Sequence, residues 1–123
     1  MSITVSPGEW KIMEEVWRNP QTLMDLVHTL REQETWSKST VTTMVRRMNE
    51  KGLLSYETNG KTKTFHPTVS REDVVAEETG SLLERAYKGS IGLLVNTMAK
   101  RNSLTKADIE ELYAILRSAE EKL

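Results

Sequence analysis

The sequence predicts a mainly α chain: three short helices, a two-stranded β-hairpin, and three further helices. Three observations carry that order. Apolar residues recur at helical spacing from Trp10 to Met48, the period changes to two on either side of Asn59-Gly60, and helical spacing returns from Val74 onward. At 123 residues, 37% hydrophobic and 28% charged, the chain suits one ordinary domain or two small units that share a core. No apolar run approaches the roughly 20 residues that span a bilayer, and no basic leader with an apolar stretch opens the sequence. Cysteine is absent, which excludes disulfides and thiolate metal sites. A cytoplasmic protein without membrane insertion is the expectation.

The first helix is signalled by Ser6-Pro7-Gly8-Glu9: a capping serine, proline at the first helical position and Glu three residues after the cap. Trp10, Met13, Val16 and Trp17 form its apolar stripe, and Asn19-Pro20 ends it. Thr22 with Asp25 starts a second helix, whose buried stripe is Leu23, Leu26, Val27 and Leu30. Ser37 caps a third helix running to about Lys51, and Gly52 stops it because glycine enters the left-handed conformation cheaply. Leu53 to Thr58 and Lys61 to His66 then read as two strands joined at Asn59-Gly60. A two-residue turn there sets Thr58 opposite Lys61, Glu57 opposite Thr62, Tyr56 opposite Lys63 and Leu54 opposite Phe65. Leu54 and Phe65 share the face near the base, and Lys61 and Lys63 lie toward the tip.

Three helices followed by a hairpin make a winged helix-turn-helix, with the third helix as the one that enters the major groove and the hairpin as the wing. On that third helix Val41, Met44, Val45 and Met48 fall in one sector. Ser39, Thr43 and Arg46 lie opposite, with Thr42 and Arg47 to either side. An exposed helix face built for solubility uses Glu, Lys, Gln and Ala, which favour helix. Ser39, Thr40, Thr42 and Thr43 are mediocre helix formers, so their side suits a specific partner. Ser39, Thr42, Thr43 and Arg46 are therefore the candidate base-reading residues. Ser37 and Lys38 stand at the helix N-terminus, where backbone N–H groups favour a phosphate. With Lys61 and Lys63 they form the candidate phosphate-binding set. Net charge is −1, which argues against promiscuous nucleic-acid binding, but Lys38, Arg46, Arg47, Lys51, Lys61 and Lys63 face only Glu50 and Glu57 within 38–63. That local excess is the footprint phosphate backbones select.

The second half is helical again. Ser70 and Asp73 cap a helix interrupted by Gly80, Lys88-Gly89-Ser90 breaks it, and a short helix carries Ile91, Leu93, Leu94, Val95 and Met98. Lys100 to Ser103 forms a polar connector, and Thr105 with Asp108 caps a last helix. These residues are too few for an independent core yet rich in apolar side chains. Packing against a second copy is the simplest resolution, the alternative being that they fold back on the first unit within one chain, and a two-fold dimer matches a palindromic DNA site. The expected division is a DNA-binding domain over 1–69 and a helical dimerisation domain over 70–123. Val75, Leu82, Leu83, Tyr87, Leu94, Ile109, Leu112, Tyr113 and Leu116 are the candidate dimer residues.

Other features read as structural. His28 is expected partly buried on the second helix, and His66 at the surface or facing a dimer partner. Two histidines without cysteine make no recognisable metal set. The Glu pairs 14–15, 77–78, 110–111 and 120–121 read as solvated helix faces. Trp10, Trp17 and Trp36 read as core anchors. No phosphate loop or nucleophile motif appears, so neither an enzyme nor a cofactor is expected. A winged-helix protein–protein module that has lost DNA binding is the alternative.

The residues Glu9-Trp10, Met13, Val16-Trp17, Trp36-Ser37, Thr40-Val41, Thr43, Arg46, Lys51-Gly52-Leu53, Phe65 and Pro67 resemble the BlaI/MecI family of penicillinase repressors. Tyr87-Lys88-Gly89 and Ile109-Glu110-Glu111-Leu112 extend the resemblance, which runs from about Ile3 to the last helix. It implies a homodimeric transcriptional repressor with an N-terminal winged helix and a C-terminal helical dimerisation region, bound to operators of its own and neighbouring genes. In antibiotic-responsive members a membrane sensor-protease detects β-lactam, and the repressor is cut at an Asn-Phe bond in the short middle helix. Thr97-Met98 stands at that position here. The family often has Pro, then Lys or Arg, where this chain has Lys38 and Ser39, and a basic residue where it has Thr42, which implies an operator preference of its own. The copper-responsive branch ends in a cysteine cluster, which this chain lacks.

Overall fold

The computed structural model describes residues 4–101 and 103–123. Ile3, where the resemblance begins, and Asn102, within the expected polar connector, lie outside the described residues. The order is α1 (Pro7–Arg18), β1 (Gln21–Thr22), α2 (Leu23–Glu34), α3 (Lys38–Lys51), β2 (Leu54–Asn59), β3 (Thr62–Pro67), α4 (Arg71–Tyr87), α5 (Ile91–Lys100) and α6 (Lys106–Glu121). The architecture is the mainly α winged helix-turn-helix followed by three helices.

Each helix starts where its capping chemistry allows. Ser6 and Glu9 form a reciprocal capping box on α1, Thr22 and Asp25 one on α2, and Thr105 and Asp108 one on α6. Ser37 accepts from the Thr40 N–H at the start of α3, and Gly52 ends α3 in the left-handed conformation at φ 87°. Thr35, a non-glycine residue, takes the same conformation after α2, where its N–H reaches the Arg31 and Leu30 carbonyls.

The sheet departs from the sequence reading in two ways. A third strand exists: β1 pairs antiparallel with β3, Gln21 opposite Phe65 and Thr22 opposite Thr64, giving the order β1-β3-β2. Two residues are too short to show a period in sequence. They are held extended after Pro20, and buried Gln21 donates its amide to the Glu15 carbonyl at 2.7 Å. The hairpin register also differs by two. Tyr56 faces Phe65, Glu57 faces Thr64, Thr58 faces Lys63, and Asn59 stays in the ladder opposite Thr62. The central turn residues are therefore Gly60 and Lys61. Only Gly60 has positive φ, 67°, as a turn with glycine at its first central position requires. A shift of two leaves the faces unchanged. Leu54 and Phe65 still point into the core together, and Tyr56 now packs on Phe65 with ring centroids 5.7 Å apart.

The chain separates into two compact units, Met1–Glu78 and Thr79–Leu123. The first has a core of Ile12, Met13 and Val16 from α1, Leu26, Val27 and Leu30 from α2, and Val41, Val45 and Met48 from α3, closed by Leu53, Leu54, Phe65 and Val74. Each fully buried side chain of this size contributes about 1.5–3 kcal/mol. The opening turns of α4 belong with this unit because Val74 is wholly buried in it. Three tryptophans pack half-buried around the core. The Trp17 indole donates to the Val69 carbonyl at 2.8 Å and the Trp10 indole to the Glu78 carboxylate at 3.1 Å. Met44 and Leu23, expected in the buried stripes, sit half-buried at the margin. The Glu residues are not uniformly solvated: Glu15 is buried and paired with Arg18, Glu14 pairs with Arg71, and Glu78 anchors Trp10. Acidic residues at helical spacing look alike in sequence whether or not a cation or an indole meets them.

Candidate nucleic-acid interface

Between α3 and the wing runs a groove of about 730 Å³, bounded at one side by Thr22, Leu23 and Met24 at the start of α2. Four cations line it: Lys38 and Arg46 from α3, Lys61 from the turn, and Lys63 from β3. No Asp or Glu lines it. The cause is periodicity on both walls. Lys38, Thr42, Val45, Arg46 and Asn49 fall on one side of α3 at three- and four-residue spacing, while Tyr56, Lys63 and Phe65 share one face of the hairpin. Lys63 is held over the Tyr56 ring, its ammonium 4.5 Å from the centroid.

The groove gathers five of the eight sequence-predicted DNA residues and leaves three outside. Ser39 is exposed on α3 and Thr43 is half-buried, both beyond the groove wall. Ser37 is exposed at the N-cap, where its hydroxyl accepts from the Thr40 N–H at 3.1 Å and donates to the Thr40 hydroxyl at 3.0 Å. Any anion at this helix end would be met chiefly by backbone N–H groups. Thr42 donates its hydroxyl to the Lys38 carbonyl at 2.7 Å and keeps its lone pairs available. Asn49, Tyr56 and Met24 line the groove and escaped the sequence reading. Asn49 was legible as three residues beyond Arg46 and seven beyond Thr42.

Not every cation of the 38–63 segment is available. Lys51 pairs with Glu9 at 2.7 Å and ties the end of α3 to the start of α1. Burial of the Glu9 carboxyl pushes its pKa up, but hydrogen bonds from Lys51 and the Ser6 N–H, together with the Lys51 charge, outweigh burial and hold it below its ordinary value of 4.5. Arg46 lies 3.6 Å from Glu50, four residues on, and both side chains are more than 60% exposed. An exposed pair of this kind is worth about 0–1 kcal/mol, so a phosphate can displace Glu50 at little cost. On the opposite face of the wing, His66 sits 3.6 Å from Glu57 with its Nε2 buried and not hydrogen-bonded. His28 is exposed rather than partly buried, in a shallow surface groove with Asn19, Pro20 and Asp25. It points away from the core because the stripe of α2 is filled by Leu26, Val27 and Leu30.

The second unit is built differently. Neither α5 nor α6 has a buried residue. Leu82, Ile109, Tyr113 and Leu116 are exposed, the last two at 59% and 61%, while Leu83, Tyr87, Leu94 and Leu112 are half-buried. Val75, in the opening turns of α4, is also exposed. Thr97 and Met98 lie in the last turns of α5, with the Thr97 hydroxyl donating to the Leu93 carbonyl at 2.9 Å. Among the described residues no cluster of His, Asp and Glu is placed to hold a metal, and no helix is long and apolar enough to cross a membrane.

Residues 5–118 match the family model of the penicillinase repressors. The chain belongs to the penicillinase repressor family. A penicillinase repressor of Bacillus licheniformis is 27% identical over 113 residues, covering 91% of this chain and 88% of that protein. The methicillin resistance regulatory protein MecI of Staphylococcus aureus is 25% identical over the same length, covering 91% and 92%. The solved DNA-binding domain of the repressor BlaI superposes with a TM-score of 0.54 at 25% identity, covering 59% of this chain and 93% of that domain. The BlaI/MecI resemblance read from the residues is thus the family itself.

Proposed function

We propose that this member of the family is a cytoplasmic, homodimeric DNA-binding transcriptional repressor that acts on an inverted-repeat operator. The observation that carries the reading is the α3–wing groove, with four cations and no carboxylate among its walls, beside the exposed hydroxyl-bearing face of α3. A chain of net charge −1 that concentrates cations there, with only the exposed Glu50 beside Arg46 against them, offers a phosphate backbone one favoured track. Lys38, Lys61 and Lys63 hold phosphates, aided by the α3 N-terminus at Ser37. Ser39, Thr42, Thr43 and Arg46 read base edges in the major groove. The names of the relatives, repressors of penicillinase and methicillin resistance, support the regulatory role.

Residues 1–69 supply DNA binding and 70–123 dimerisation, with the opening turns of α4 also completing the first unit's core through Val74. The second unit supports this, because α5 and α6 have no fully buried residue within one chain and leave Ile109, Tyr113 and Leu116 to be covered. Two copies related by a two-fold axis present two recognition helices to two half-sites. Induction through a membrane sensor-protease would act near Thr97-Met98. The bond lies within a hydrogen-bonded helix, so cleavage there needs α5 to open locally.

The test is retardation of duplex DNA taken from beside the protein's own gene, with a shuffled duplex of equal length as control. Tighter binding to an inverted repeat than to the shuffled duplex is the expected result. Absence of binding to either duplex at low salt would overturn the reading and leave a winged-helix protein–protein module.

A further inference from the structure

Resting on the DNA-binding reading, we infer that Tyr56 is a positioning residue of the interface: its ring holds the Lys63 ammonium at the groove, so that the wing presents a pre-aligned cation to the phosphate backbone. Lysine loses more rotamer freedom than most side chains when it is fixed against a partner. A lysine on a hairpin exposed to solvent is ordinarily free to sweep, and that freedom is lost on binding. Here the ammonium already rests 4.5 Å from the Tyr56 ring centroid. The ring is itself fixed, because Tyr56 stands directly opposite buried Phe65 and packs on it at 5.7 Å. The corrected register makes this possible. Lys63 pairs with Thr58, two residues from Tyr56 on the same face, which puts ring and ammonium on a cross-strand diagonal. Both residues line the groove, and Tyr56 is 43% exposed, so its ring is accessible at the groove wall. No carboxylate within the groove competes for Lys63. The nearest wing acid, Glu57, points to the other face toward His66.

Phosphate contacts act on every sequence alike, so the probe is a generic duplex labelled for fluorescence anisotropy, with no operator needed. Affinity is measured for the full chain and for Lys63→Ala, Tyr56→Phe, Tyr56→Leu and the Tyr56→Leu/Lys63→Ala double variant. Phenylalanine keeps the ring face and is expected to bind like the parent. Leucine removes the face and is expected to weaken binding about two- to five-fold, the effect of one exposed cation–π contact. In the Lys63→Ala background the same Tyr56→Leu change is expected to cost nothing further, because the ring has no cation left to hold. An equal loss in both backgrounds, or an equal loss for phenylalanine and leucine, overturns the inference while leaving DNA binding intact. Lack of binding by the parent chain to any duplex removes the DNA-binding reading itself. Because Tyr56 packs on Phe65, a fold-independent measurement accompanies the series. Proton resonances of the Lys63 side-chain methylenes are expected upfield in the parent and in Tyr56→Phe, from the ring current. Unshifted methylenes in the parent overturn the inference directly.

Discussion

The double variant Lys61→Ala with Lys63→Ala isolates the wing's electrostatic share of DNA binding. Both cations line the groove, neither makes an ion pair among the described residues, and Asp and Glu are absent from the groove walls. Each is therefore free to neutralise one phosphate. Every phosphate neutralised on duplex DNA adds about 0.9 to the slope of log affinity against log salt, so losing two should flatten the slope by about 1.8. Between 50 and 200 mM salt, a fourfold range, that difference amounts to about 1.1 log units, or roughly a twelve-fold smaller loss of affinity for the variant than for the parent. Anisotropy titrations of a generic duplex at several salt concentrations read the slope directly. Folding should be untouched, since Lys61 occupies a turn and Lys63 is exposed, and equal melting temperatures check this. A variant slope equal to the parent's would refute the reasoning, because it would mean that the wing tip meets no phosphate.

Arg46→Ala should weaken operator binding by about 1–3 kcal/mol with less effect on generic duplex, whereas Glu50→Gln should strengthen binding by removing the carboxylate 3.6 Å from that guanidinium. Competition titrations with both duplexes check this pair. Lys51→Met should cost about 1 kcal/mol, less than the roughly 1.5–3 kcal/mol of a buried charged hydrogen bond because Lys51 is 39% exposed and solvent screens the pair. The folded-state pKa of Glu9 is depressed, so its stabilising contribution is present above 4.5 and is lost as pH falls from there through the lower folded-state value. Thermal melts should accordingly show the gap between parent and Lys51→Met narrowing below pH 4.5. Tyr113→Lys with Leu116→Lys should yield a monomer by sedimentation, with operator affinity reduced and the core of the first unit still folded. A double variant that sediments as a dimer would move the interface elsewhere.

Much of the candidate interface was legible in the residues. The capping residues Ser6, Thr22, Ser37 and Thr105 announced their helices because N-terminal backbone donors need a side-chain acceptor within three residues, a purely local demand. Gly52 and the change of period after it marked the wing for the same reason. The candidate groove cations Lys38, Arg46, Lys61 and Lys63 were likewise visible as a charge excess. Asn49 was visible only through its spacing from Arg46, and Tyr56 not at all: each is ordinary in its own element and takes its place in the groove only when α3 and the wing face each other.

The amino-acid order by itself determined the six helices, the two hairpin strands and the family, since periodicity, caps and motif spacing are local properties of the chain, whereas the two-residue β1 emerged only from its pairing with β3. Tertiary structure alone decided which charges remain available. Lys51 is consumed by Glu9, forty-two residues away, and Arg46 has only an exposed partner that a phosphate can replace. It also decided the hairpin register, where keeping Asn59 in the ladder and seating Tyr56 on Phe65 sets the turn at Gly60-Lys61 rather than one residue earlier. Neither outcome could be read locally, because an ion pair or a ring contact across the fold depends on the distances that folding creates.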